Sequence, residues 1–134
     1  MPYAHVNGVR IFYVTAGCGE TLTFIHGAIE NHRFWKSQEP LSEKFKVVMF
    51  DLPGHGQSDR MKNDVTIKGY VELVFNLLNV LGVRRTILIG HSMGGAISMQ
   101  VAVDYPEIVE KLILVSTSAK LGVLPTLLSL LKSD

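Results

Sequence analysis

Residues 86–102 read TILIGHSMGGAISMQVA. A β-branched apolar run passes into a helical pattern, and Ser92 stands at the join. Gly90 and Gly94 lie two residues before and two residues after it. A sharp strand-to-helix turn forces the serine to positive φ and crowds the residues on either side, so only glycine fits there. This is the G-x-S-x-G nucleophile elbow, which lifts Oγ clear of the backbone. It also aims the amide of Met93, at the start of a helix, where negative charge is favoured. A phosphate loop fits less well, because the turn has no lysine and no G-x-x-x-x-G-K-[ST].

Outward from the elbow, strand and helix alternate. YAHVNGVRIFYVTAG holds two short strands joined at Asn7-Gly8, a hairpin turn signal. GETLTFIHG and KVVMFDLPGHG are a third and a fourth strand. The stretch NHRFWKSQEPLSEKF between them reads as helical or irregular, interrupted at Pro40. Ile67, Tyr70, Val71, Val74, Leu77, Leu78 and Leu81 form one apolar helical stripe, with Thr66 as cap and Gly82 as terminator. RRTILIG is a fifth strand, GGAISMQVAVDYP a helix stopped before Pro106, and EKLILVSTS a sixth strand. The alternation predicts an α/β fold, a three-layer sandwich whose mostly parallel sheet has helices on both faces. Ligands bind such sheets at the carboxyl ends of the strands. The loops that matter are therefore HGAIENH, DLPGHGQSD and GHSMGG.

In the first of these loops, the amide of Ala28 fits the second half of an oxyanion hole opposite that of Met93. His26 and Gly27 read as structural, with His26 bracing the loop, and Trp35 reads as packed. Asp51 reads as a loop anchor and Asp59 as a turn or cap residue. His91 adjoins Ser92, so its side chain is expected to leave the elbow in another direction. His55 is the one loop histidine that could serve as a base, although nothing near it in sequence orients it. His5 and His32 read as ordinary surface or loop residues. No spacing of histidines or carboxylates suggests a metal site, and no cofactor is implied.

The 134 residues suffice for one domain with a core. A net charge of +1 gives no reason to expect nucleic acid or an anionic membrane as partner. Cys18 is the only cysteine, which excludes an intrachain disulfide. No signal pattern opens the chain and no run is long enough for a membrane span, so the expected location is cytoplasmic.

HGA…W, DLPGHGQSD and GHSMGG, in this order, resemble the N-terminal half of the α/β-hydrolase fold superfamily. GHSMGG is similar to its esterase, enol-lactonase and C–C-bond hydrolase branches. Haloalkane dehalogenases and many epoxide hydrolases have aspartate at the position of Ser92. The resemblance implies Ser92 as nucleophile, the amides of Ala28 and Met93 as oxyanion hole, and Gly90, His91, Gly94 and Gly95 as the elbow around it. It implies a small ester, lactone or related acyl compound as substrate. The family order is Ser, then Asp or Glu, then His. Here no histidine follows Ser92, and the later acids are Asp104, Glu107, Glu110 and Asp134. None of the first three lies in a loop after a later strand, and Asp134 is terminal. The expectation is one incomplete domain over residues 1–134, cut after about the sixth strand, with a cap helix beginning over 121–134. Activity then belongs to a longer parent. The rival expectations are an inactive fragment or pseudo-enzyme that pairs through the apolar edge of the sixth strand, and one half of a split hydrolase.

Overall fold

A computed structural model describes residues 2–62 and 65–117. The cap helix expected over 121–134, with Asp134, lies outside the described residues. Six strands form one sheet: β1 (Tyr3–Val6), β2 (Val9–Ala16), β3 (Thr21–Ile25), β4 (Lys46–Phe50), β5 (Thr86–His91) and β6 (Val109–Val115). Their order is β1-β2-β4-β3-β5-β6. The pairs β1–β2 and β2–β4 are antiparallel, and β3–β4, β3–β5 and β5–β6 are parallel. Asn7 and Gly8 both have positive φ, 52° and 78°, as a two-residue hairpin turn of the Asn-Gly kind requires.

Helix α1 (Ile67–Val80) starts where Thr66 Oγ1 accepts the Gly69 amide at 2.9 Å. Just past its end, Gly82 adopts φ 74°. Helix α2 (Met93–Asp104) stops before Pro106. Both helices lie on one face of the sheet. Tyr70, Val71, Val74 and Leu77 of α1 and Ile97 and Val101 of α2 share a core with Ile25, Val48, Phe50 and Leu88.

On the other face lies the stretch read as helical or irregular and interrupted at Pro40, and the interruption is absent. This face is covered by a 3-10 helical segment, His32–Glu43, that runs through Pro40 without breaking. The tighter helix makes fewer i→i−4 bonds for a proline to remove. Its Trp35 is buried against Leu22, Phe24, Val47, Met49, Ile87 and Ile89. Asn31 caps the segment by accepting the Arg33 amide at 2.9 Å.

Among the described residues β6 is an edge strand. Leu112, Ile113, Leu114 and Val115 are 36–48% exposed along it. No helix among the described residues is long and apolar enough to cross a membrane.

Candidate active site

The parallel register places Ile25 opposite Gly90. The chain therefore leaves β3 and β5 side by side at their carboxyl ends. His26, Gly27 and Ala28 follow one strand, and His91, Ser92 and Met93 the other.

Ser92 has φ 55° and ψ −116°, the left-handed backbone that the flanking glycines imply. Its amide donates to the Val115 carbonyl at 3.2 Å, and its carbonyl accepts the Gly95 amide and Thr117 Oγ1, each at 2.9 Å. The turn is thus fastened to both the helix it opens and the end of β6. Met93 is the first residue of α2, so its amide has no acceptor within the helix.

The two glycines are needed for different reasons. A Cβ on Gly90 would meet the Gly94 carbonyl and, at 2.6 Å, Ser98 Oγ. This is the crowding across the turn expected from the sequence. A Cβ on Gly94 would instead strike the carbonyls of Ile25 and His26. The second glycine lets α2 rest on the end of β3, which spacing along the chain could not reveal. Gly95 has the Thr117 side chain over it.

The loop after β3 is pressed against the elbow. A Cβ on Gly27 would come within 3.1 Å of both Ser92 Cβ and the His91 carbonyl. Ala28 is partly buried against the main core. Ile29 is 94% exposed and has φ 61°, a left-handed conformation in a β-branched residue. Such backbone costs about 1–3 kcal/mol and persists only where its surroundings impose it. Nothing in the sequence announced it.

His26 is fully buried. Its Nε2 accepts the Leu52 amide at 3.0 Å, so Nδ1 carries the proton and donates to the Gly27 carbonyl at 2.7 Å. The ring ties the loop after β3 to the loop after β4. Burial holds its pKa at about 4, below the ordinary 6.5, against the opposing effect of the Gly27 bond. The unfolded chain binds this proton as pH falls through 6.5, while the folded chain refuses it until about 4. Stability is therefore complete above 6.5 and falls as pH drops through that window. We expect the urea midpoint to report a loss of about 2 kcal/mol between pH 6.5 and 5. The His26→Gln variant should lose much less over that interval, and an equal loss would show that other groups are responsible.

Asp51 is also fully buried. Its Oδ1 accepts the His32 amide and His32 Nδ1, each at 2.7 Å, and Oδ2 accepts the Gln57 amide at 2.9 Å. Gly56, at φ 51°, leaves room for this carboxylate where a Cβ would overlap it. His32 is thus no ordinary loop residue. It is the partner of a buried acid, a pairing that joins residues 19 apart in sequence. Asp59 forms an exposed ion pair with Arg10 at 3.5 Å, and its carbonyl accepts the Gly54 amide. His55 Nδ1 donates to the Pro53 carbonyl at 3.0 Å, and its ring lies 5.1 Å from that of His26.

His91 does leave the elbow sideways. Its Nδ1 donates to Glu30 Oε1 at 3.0 Å, and its ring stacks on Phe34 at 4.2 Å. Glu30 and Phe34 are the members of this region that the sequence did not single out, beside His32, which reads there as an ordinary surface or loop residue. An acid three residues beyond Gly27 was the one available signal, because a side chain at that spacing can turn back to a loop amide.

Residues 20–131 match the alpha/beta hydrolase fold family, and the chain belongs to it. An uncharacterized protein of Mycobacterium tuberculosis is 38% identical over 117 residues, which cover 87% of this chain and 34% of that protein. A soluble epoxide hydrolase of Corynebacterium sp. is 34% identical over 110 residues, 81% of this chain and 38% of that protein. The solved structure described as Est816, an N-acyl homoserine lactone degrading enzyme, superposes with a TM-score of 0.85 at 32% identity. That superposition covers 91% of this chain and 48% of the other. The chain spans about a third of the length of these two curated relatives.

Proposed function

We propose that the chain carries the nucleophile half of a serine hydrolase that cleaves a carboxylic ester, lactone or related acyl bond. The observation behind this reading is Ser92 at φ 55° between a strand and a helix, with the loop of Ala28 packed against it. In this reading Ser92 Oγ adds to the carbonyl carbon. The carbonyl oxygen gains the negative charge and is held by the amides of Ala28 and Met93. The bond to the alcohol oxygen then breaks, and the alcohol leaves with a proton relayed from Ser92 by a base. Water hydrolyses the acyl–Ser92 ester and restores the hydroxyl. The likeness to a lactone-degrading enzyme supports an acyl substrate. The epoxide hydrolase relative supports hydrolysis more broadly.

The base must come from elsewhere. Among the described residues no hydrogen bond joins Ser92 Oγ to a histidine: His26 Nε2 accepts the Leu52 amide, and His32, His55 and His91 direct Nδ1 to Asp51, Pro53 and Glu30. No histidine follows Ser92 in the sequence. In this reading a longer polypeptide or a second chain supplies the base and its acid, and the exposed apolar residues of β6 favour an added strand there. An exposed free thiol at Cys18 fits a reducing, cytoplasmic setting.

The test is to quench turnover of a p-nitrophenyl ester by a polypeptide that contains this chain together with the acid and histidine. Mass spectrometry should find the acyl group on the peptide carrying Ser92. Turnover that survives Ser92→Ala would overturn the reading.

A further inference from the structure

We propose that Glu30 is a positioning residue that fixes the loop of Ala28 against the turn of Met93 through one carboxylate oxygen; this rests on the reading of Ser92 as nucleophile. Oε1 accepts the Gly27 amide at 2.6 Å and His91 Nδ1 at 3.0 Å. One donor lies immediately before Ala28 and the other immediately before Ser92. The two donors are 64 residues apart in sequence, as the numbers 27 and 91 show, and no other side chain among the described residues joins them. The carboxylate can take both bonds because it has several lone pairs and no proton to place. Charge-assisted bonds of this kind are short and strong.

The neighbours leave the bridge little freedom. Phe34 lies against the His91 ring at 4.2 Å and 21° between planes, so the imidazole edge faces Glu30 in one orientation. Gly27 has Glu30 Oε1 and Ser92 Cβ at 3.0 and 3.1 Å from where a Cβ would stand. Left-handed backbone at Ile29 reverses the chain between Gly27 and Glu30. The strain at an exposed isoleucine is thereby explained: it brings the carboxylate back to the amide of its own loop. Two amides that must converge on one oxygen gain little from correct chemistry if their separation drifts. Glu30 sets that separation without touching the substrate.

The test uses the 134-residue chain. Hydrogen exchange is read at Gly27, Ala28 and Met93 by NMR, with the buried strand amides of Val48 and Leu88 as reference. Phenylboronic acid serves as probe: its boron takes Ser92 Oγ as a fourth ligand, the hydroxyl proton passes to buffer, and a boronate oxygen occupies the oxyanion position. Glu30→Ala should speed exchange at Gly27 and Ala28 about tenfold or more and weaken boronate binding by a similar factor, with the reference amides unchanged. Glu30→Gln should stay within about threefold of wild type in both, since its amide oxygen accepts the same two donors. Wild-type exchange and wild-type boronate affinity in Glu30→Ala would overturn the proposal. So would equal losses in the Ala and Gln variants. If Glu30→Ala does not fold, His91→Phe replaces it: the stack on Phe34 stays, the donor is gone, and unchanged exchange at Ala28 would count against the bridge. Boronate binding that survives Ser92→Ala would overturn the nucleophile reading instead, and the exchange measurements would still decide for or against Glu30.

Discussion

The 134-residue chain is expected to hydrolyse a p-nitrophenyl ester scarcely faster than its Ser92→Ala variant. An unassisted serine hydroxyl stays protonated at neutral pH and is a weak nucleophile. Among the described residues no histidine is hydrogen-bonded to Ser92 Oγ: His26 Nε2 accepts the Leu52 amide, and His32 and His91 direct Nδ1 to the carboxylates of Asp51 and Glu30. An oxyanion hole alone leaves only the residual catalysis seen when a triad is dismantled. A polypeptide that supplies the later acid and histidine should therefore gain on the order of 10⁴–10⁶ in kcat. Robust Ser92-dependent turnover by the short chain would refute this. His55→Ala would then be the variant to make, since His55 Nδ1 is bonded only to a backbone carbonyl within its own loop.

The second large effect is on stability. Gly94→Val should cost about 3 kcal/mol or more, because the new Cβ would overlap the carbonyls of Ile25 and His26, which are backbone and cannot rotate away. Against a total stability of about 5–15 kcal/mol, such a loss moves the urea midpoint far or prevents folding. Gly82→Ala is the informative contrast. Gly82 has φ 74° and no atom within 4 Å of its added Cβ, so only the left-handed backbone is penalised, by about 1 kcal/mol. Circular dichroism through a urea titration separates the two. Equal midpoints for the variants would show that close packing of α2 on β3 is not what Gly94 secures.

The difference between these glycines shows where reading the chain stops. Gly82 was legible as a helix end because the apolar stripe of α1 finishes there. Gly90 was legible because crowding across a sharp turn is a local matter. Gly94 was legible as necessary, yet its reason was not, since the carbonyls it must clear belong to a strand about 70 residues earlier.

The same division holds for the whole protein. The order of strands and helices, the turn at Asn7-Gly8, the left-handed Ser92 and the grouping of three loops at one end of the sheet all follow from periodicity and turn chemistry. These depend on residues a few positions apart, and the sequence by itself determined them. The placement of both α-helices on one face, the burial of Trp35 on the other, the Asp51–His32 pair and the Glu30 bridge were decided only by tertiary structure. Each depends on a contact between segments that the sheet order β2-β4-β3-β5 brings together. A carboxylate such as Glu30 looks like any surface acid until the fold sets a loop amide and a histidine ring around it. Its partners are fixed by packing, and packing is a property of the assembled sheet and helices.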